Sequence, residues 1–362
     1  MHVDDLASPS ILVLAPRLEH NLRAMQSACD AAGMELRPHI KTHKLLPIAR
    51  RQLELGAKGL TCAKLSEAEA MLPSGVREIF LAHSLVDHRQ AARIAALCDQ
   101  LDELRVAVTS EAHAETLITL AAQVGRPLHA MMAIDSGLDR EGVRDVASAQ
   151  RIAARLARAP QVELAGFYTH EGQFYTKPND QREAGIVRML TDLRAIRDAI
   201  DPALPLWPGS SMTARAIADG HADGVQAVRP GAYVFGDMAL STSTDVMPFA
   251  DVALEVLATV VDRPTADLAL IDAGSKTFSS DRTAAGVSAV AADGRDLSVV
   301  RVNEEHGYLR GADVASLQLG ERIRFVPAHV CTVVNLTSHV TLIDSDDYVS
   351  ASWPVDARGC TQ

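Results

Sequence analysis

The sequence predicts an α/β protein: a (β/α)8 TIM-like barrel over residues 10–244, followed by a second, mainly β domain over residues 245–362, which also takes residues 1–9. Three observations predict it. Short apolar runs alternate with helical patterns through the first two thirds of the chain, the arrangement of parallel strands with crossover helices. Eight such runs follow the first one, enough to close a barrel of the usual size. Beyond residue 245 the runs become strand-like throughout and are linked by Gly, Asp and Pro. An open doubly wound sheet is the competing arrangement, but the Gly-rich dinucleotide turn that should follow its first strand is missing.

The first run, SILVLAP (10–16), leads into a helix in which Leu18, Leu22, Met25 and Cys29 recur at three- and four-residue spacing, with Gly33 marking its end. The eight barrel strands are then LRPHIKTH (36–43), GLTCAK (59–64), EIFLAHS (78–84), LRVAVT (104–109), LHAMMAID (128–135), VELAGFYTH (162–170), LPLWPGSS (204–211) and VQAVRPGAYVF (225–235). In the second domain VALEVLATVV, LALIDAG, LSVVRVNEEHGYL, ERIRFVPAH and CTVVNL read as strands.

Composition narrows the function. With 48% hydrophobic and 22% charged residues, the 362-residue chain is neither disordered nor fibrous. Its net charge of −11 sets it against nucleic acid and anionic membranes as partners. Five scattered cysteines suit a reducing compartment, and Cys29, Cys62 and Cys98 read as packing residues. MHVDDLASPS lacks the basic segment and apolar run of a signal peptide, and no apolar stretch approaches the length of a membrane span, so a cytoplasmic protein is expected.

The C-terminal ends of barrel strands carry catalysis, and here they are polar. If LRPHIKTH is a strand, Arg37, His39, Lys41 and His43 share one face. A basic row pointing into a barrel is costly unless it meets an anion, and a lysine among cations becomes a nucleophilic amine suited to Schiff-base chemistry. GSSMT (209–213) and RPGAY (229–233) fall after strands seven and eight, where barrels hold phosphate. In PAHVCTVVNL (327–336), His329 and Cys331 stand two apart; on a strand they would share a face and could bind one metal with positions left open. Sulfur with imidazole favours zinc, with manganese as an alternative.

RPHIKTHK (37–44), AKLSEAEA (63–70), IDSGLDREGV (134–143), GFYTHEGQFY (166–175), RPGAYVFGD (229–237), IDAGSK (271–276), NEEHGYL (303–309) and PAHVCTVVNL (327–336) together resemble the fold-type III pyridoxal-phosphate enzymes, specifically the D-serine dehydratase and D-threonine aldolase group with an alanine-racemase-like barrel. The likeness implies that Lys41 holds pyridoxal phosphate as a Schiff base, with His39 also at the cofactor and Arg140 near its phenolic oxygen. Tyr168 and His170 then line the substrate side. Gly209, Ser210, Ser211, Gly231 and Tyr233 hold the phosphate, and His329 with Cys331 binds the metal. It further implies a homodimer in which the partner's second domain completes each site. The chain departs from its relatives in reading GSSMT where many have a Gly-rich loop, and in having Ala227 where many have an acid.

KTHK, His-X-Cys and YTHEGQFY are more like the dehydratase branch. The implied reaction is loss of water from a β-hydroxy D-amino acid, giving a 2-keto acid and ammonia. Retro-aldol cleavage to glycine and an aldehyde is the alternative, with His170 or His43 as base on the hydroxyl. A racemase and a non-catalytic pyridoxal-phosphate-binding protein are more distant readings.

Overall fold

A computed structural model of the chain describes residues 1–176 and 179–362. They form two compact units: residues 1–23, 42–45 and 232–359 make one, and residues 24–41, 46–231 and 360–362 the other. Strand β1 (Ser10–Leu14) and helix α1 (Ala15–Ala31) open the chain.

The barrel unit contains all eight predicted strands in order: β2 (Glu35–Leu36), β3 (Leu60–Cys62), β4 (Glu78–Ser84), β5 (Glu103–Val108), β6 (Leu128–Ala133), β7 (Val162–Tyr168), β8 (Leu206–Trp207) and β9 (Ala227–Val228). β3 to β8 form a six-stranded parallel sheet and β2 pairs with β9. The ring closes through a few backbone bonds: on one side Lys58 N–H donates to Leu36 C=O, Thr61 N–H to Pro38 C=O and Ile40 N–H to Thr61 C=O, at 2.8–2.9 Å, and on the other Gln226 N–H donates to Leu206 C=O at 3.2 Å. The crossovers are α2 (Leu46–Leu55), α3 (Leu65–Met71), α4 (Ala91–Gln100), α5 (Glu111–Val124), α6 (Val146–Leu156), α7 (Arg182–Asp198) and α8 (Ala214–Gly220). Ser110 and Asp145 cap α5 and α6 by accepting the His113 and Ser148 N–H groups, and Gly125 ends α5 at φ +73°, a left-handed position that suits glycine.

Phe80, Met131, Tyr168 and Trp207 fill the barrel interior. Phe80 meets Tyr168 and Trp207 edge-on, with ring centroids 4.9 and 5.9 Å apart. Arg37 and Arg105 lie over Trp207, and Arg229 over Phe80 and Tyr168, so guanidinium groups cap both ends of this aromatic column.

The second unit holds β1 together with β10 (Leu254–Thr265), β11 (Leu268–Ile271), β12 (Ala289–Ala291), β13 (Ser298–Val302), β14 (Gly307–Arg310), β15 (Arg322–Pro327), β16 (His339–Ile343) and β17 (Val349–Pro354), plus helices α9 (Ser275–Phe278) and α10 (Val330–Leu336). The nine strands run in the order β11-β14-β13-β12-β15-β10-β1-β16-β17, and β11 also pairs with β10, closing six of them on themselves. LSVVRVNEEHGYL is a hairpin rather than one strand.

Two local expectations fail. CTVVNL is helix α10, not a strand: the β-branched residues follow tertiary packing, with Val330, Val333 and Val334 buried. LRPHIKTH does not stay extended either. Ile40–His43 is a turn, because the chain must leave the barrel rim to reach α2, so Arg37, His39, Lys41 and His43 do not form one face of a strand. Among the described residues no helix is long and apolar enough to cross a membrane.

Because Phe80 is fully buried against two rings, Phe80→Ala should cost about 3–5 kcal/mol, read as a lower urea midpoint with the m-value retained.

Candidate active site

In the barrel unit the site is built by the loops after β2, β6, β7, β8 and β9. Lys41 lies in the turn after β2, half-buried, and its backbone N–H reaches Nδ1 of the buried His39 at 3.4 Å. No hydrogen bond or ion pair to its ammonium is found among the described residues. Arg140, Tyr168 and His170 line one small pocket beside Asp135 and Glu141. Arg140 is exposed and paired with Glu141 at 2.8 Å. Tyr168 is buried and its hydroxyl has no hydrogen-bond partner among the described residues.

His170 is a strongly perturbed base. Burial, then the charges of Lys41, Arg140 and Arg229, push it down to about 3 against the opposing hydrogen bond to the Gly209 backbone. The ring is therefore neutral at ordinary pH, and the same electrostatics place Lys41, Arg140 and Arg229 around it.

Two residues that carried no expected role organise this end of the barrel. Glu171, wholly buried, accepts the Gly209 N–H at 2.9 Å and the Thr213 hydroxyl at 3.1 Å. Burial raises its pKa, opposed by the Gly209 bond and Arg229. Arg229, also buried, donates to the carbonyls of Thr169 and Trp207, and burial lowers it to about 10. Both residues sit in motifs visible in the sequence, THEG and RPG; what hid their roles is that neither motif shows its side chain turned inward.

The GSSMT and RPG loops meet closely. A Cβ on Gly209 would lie 2.4 Å from the Arg229 N, so only glycine fits. Ser211 Oγ accepts the Gly231 N–H at 3.2 Å, and Ser210 Oγ accepts the Met212 N–H at 3.2 Å. The Gly209 and Gly231 N–H groups are thus bonded within the protein.

In the second unit His329 and Cys331 come together, though not as a strand pair: His329 is the extended residue preceding α10, Cys331 lies in its first turn, and their side chains hydrogen-bond. Cys331 Sγ is also 3.2 Å from the hydroxyl of Thr42, the residue after Lys41 in the chain. The neighbouring Cys331, foremost, and Asp237 raise His329 to about 11 against the effect of burial. The surroundings favour a cation at this imidazole, and a sulfur with an imidazole is a donor set suited to zinc. Tyr233 is buried in the turn Ala232–Val234. His43 is buried, and its Nδ1 accepts the Leu45 N–H at 3.1 Å. Cys29 and Cys62 are fully buried, and burial raises both thiols, Cys29 to about 12.

A parallel barrel with a lysine past its first strand, in one chain with a closed β unit, is the architecture of the alanine-racemase-like class. The chain belongs to the family described as alanine racemase, N-terminal domain, which matches residues 15–239; a serine dehydratase domain matches residues 253–343. The D-threo-3-hydroxyaspartate dehydratase of Delftia sp. is 33% identical over 356 residues, covering 90% of this chain and 91% of its own. The D-threonine aldolase of Arthrobacter sp. is 29% identical over 361 residues, covering 97% and 93%. The solved Delftia dehydratase superposes with a TM-score of 0.88 at 29% identity, covering 98% of each chain. Two further solved structures of a D-threo-3-hydroxyaspartate dehydratase carry alanine for a histidine and for a cysteine two positions apart, the cysteine mutant in the metal-free form.

The low proton affinity of His170 has a sign. The unfolded chain takes up a proton at this residue below about pH 6.5 and the folded one does not, so folding loses stability as pH falls from about 6.5 toward 3. His170→Gln should therefore flatten the fall of Tm with acid over that window, by the equivalent of roughly 1 kcal/mol per pH unit at most, and run parallel to wild type above pH 7.5.

Proposed function

We propose that the chain is a lyase of β-hydroxy D-amino acids, dependent on pyridoxal phosphate and a divalent metal, zinc ahead of manganese, which removes water from its substrate to leave an enamine that hydrolyses, taking water back, to a 2-keto acid and ammonia. The observation that carries this reading is the amine of Lys41, without an anionic partner among the described residues and close enough to His170 to depress it, in a family that binds pyridoxal phosphate. The partnerless hydroxyl of Tyr168, buried beside them, fits a polar occupant of the barrel mouth.

When bound, pyridoxal phosphate supplies an electron sink for charge developing at Cα, and the divalent metal a Lewis acid for the β-hydroxyl oxygen. The chain's own residues do the rest. Lys41 Nζ is the amine that would hold the cofactor's aldehyde and, when free, the base that would take the α-proton. His39 braces the backbone of Lys41. Ser210, Ser211 and Tyr233 supply the hydroxyls of the phosphate end, Gly209 and Gly231 belong to its two loops with their own N–H groups held by Glu171 and Ser211, and Arg140 serves the phenolic oxygen. Tyr168 and His170 line the substrate side. A His170 ring that stays neutral down to about pH 3 does not donate a proton to departing hydroxide at neutral pH; a divalent metal, which His329 and Cys331 would hold, would supply the stabilisation of charge on that oxygen. The working unit is a homodimer.

Dehydration is preferred over aldol cleavage on two grounds. Solved D-threo-3-hydroxyaspartate dehydratase mutants replace a histidine and a cysteine at the same spacing as His329 and Cys331. Cleavage also needs a base on the hydroxyl, and His170 is too weakly basic while Nδ1 of His43 is engaged.

The deciding experiment incubates the purified protein with D-serine, D-threonine and D-threo-3-hydroxyaspartate. Keto acid and ammonia are expected; glycine with an aldehyde makes the chain an aldolase, and no product from any of them defeats both readings. Lys41→Ala should abolish both the visible absorbance of the bound aldehyde and turnover, whereas a covalent adduct surviving in that variant overturns the assignment of Lys41. Cys331→Ala should lose metal content and water elimination together. Full turnover in that variant, or in wild type after exhaustive chelation, removes the metal from the reaction and turns the reading toward a racemase.

A further inference from the structure

Asp237 closes the RPGAYVFGD motif and has no part in the assignments above. It is wholly buried, and both its oxygens are used within its own unit. Oδ1 accepts the Leu240 N–H at 3.0 Å. Oδ2 accepts the Val330 N–H at 3.1 Å and lies 2.9 Å from His329 Nδ1. A carboxylate that takes the Nδ1–H of an imidazole leaves Nε2 with its lone pair, the form that ligates a divalent ion. The Val330 bond from the same oxygen fixes the first turn of α10, one residue before Cys331. The Leu240 bond fixes the rotation of the carboxylate itself.

We propose that Asp237 is the positioning residue of the metal centre: one buried carboxylate selects the tautomer and direction of His329 and sets the register of Cys331. The inference rests on the metal reading of His329 and Cys331. A carboxylate that only capped α10 would use Val330 and Leu240 and leave His329 alone; the 2.9 Å contact to Nδ1 is what a cap does not need.

The test uses the full-length protein loaded with pyridoxal phosphate, stripped of metal and titrated with Zn2+, as wild type, Asp237→Asn and His329→Ala. Asp237→Asn keeps the size and the Oδ1 acceptor but cannot stabilise the same tautomer. It should bind Zn2+ about 10- to 100-fold more weakly, with the visible absorbance of the cofactor near that of wild type and the Tm of the metal-free protein lowered, because the amide leaves the Val330 N–H without its acceptor. Wild-type Zn2+ affinity in Asp237→Asn overturns the proposal. Unchanged affinity in His329→Ala overturns the metal reading itself and the proposal with it. Should Asp237→Asn fail to fold, the wild type decides: 15N-histidine spectra of the Zn2+-loaded protein, assigned with His329→Ala, must show His329 protonated at Nδ1, and a metal on Nδ1 refutes the inference.

Discussion

A buried cation holds the working end of the barrel together. Arg229 donates to the carbonyls of Thr169 and Trp207, at the ends of two neighbouring strands, and lies over the rings of Phe80 and Tyr168. Its charge is offset by Glu171, and Glu171 in turn holds the Gly209 N–H and the Thr213 hydroxyl. A guanidinium out of water is expensive unless its surroundings are anionic, polar and well fitted. Here one carboxylate, two carbonyls and two aromatic faces meet that need, and together they tie β7, β8 and the loops after them into one rigid rim. His170 stands in the chain between Thr169 and Glu171, so both its neighbours are locked by this network. Its neutrality follows first from burial and then from the positive charge gathered around it.

Much of this was legible beforehand, for reasons that can be named. The barrel strands show themselves because each is a short apolar run bounded by turn residues, and even two-residue strands such as β8 and β9 lie inside longer readable segments. The positions of Lys41, His170 and the two small-residue loops follow from the rule that strand ends carry the chemistry. Where the sequence misled, it did so through periodicity. Alternation in LRPHIKTH mimics a strand, but a barrel rim ends strands early. The β-branched run CTVVNL mimics another, but the pair His329 and Cys331 is assembled by the start of a helix. Alternation and a first helical turn can both bring residues two apart together, so a two-residue spacing does not distinguish them.

Glu171 and Asp237 were hidden for a different reason. Each is a single acid in a chain with many, and what sets it apart is complete burial with every oxygen bonded to a backbone or side-chain donor. Burial of a lone carboxylate depends on partners far along the chain: Glu171 meets Gly209 and Thr213, and Asp237 meets His329 and Val330. The two acids play comparable parts in the two units, each fixing at least one backbone N–H and one neighbouring side chain.

The buried hydroxyl of Tyr168 bears on how the protein would be maintained in a cell. A polar group shut away from water without a bond leaves the ligand-free chain short of the stability its core could give, by about 1–3 kcal/mol. Any occupant that binds the folded barrel and not the unfolded chain shifts that balance by mass action. Abundance of the protein would then track the supply of the small molecule it carries: scarcity leaves more of the population open to proteolysis, and plenty protects it.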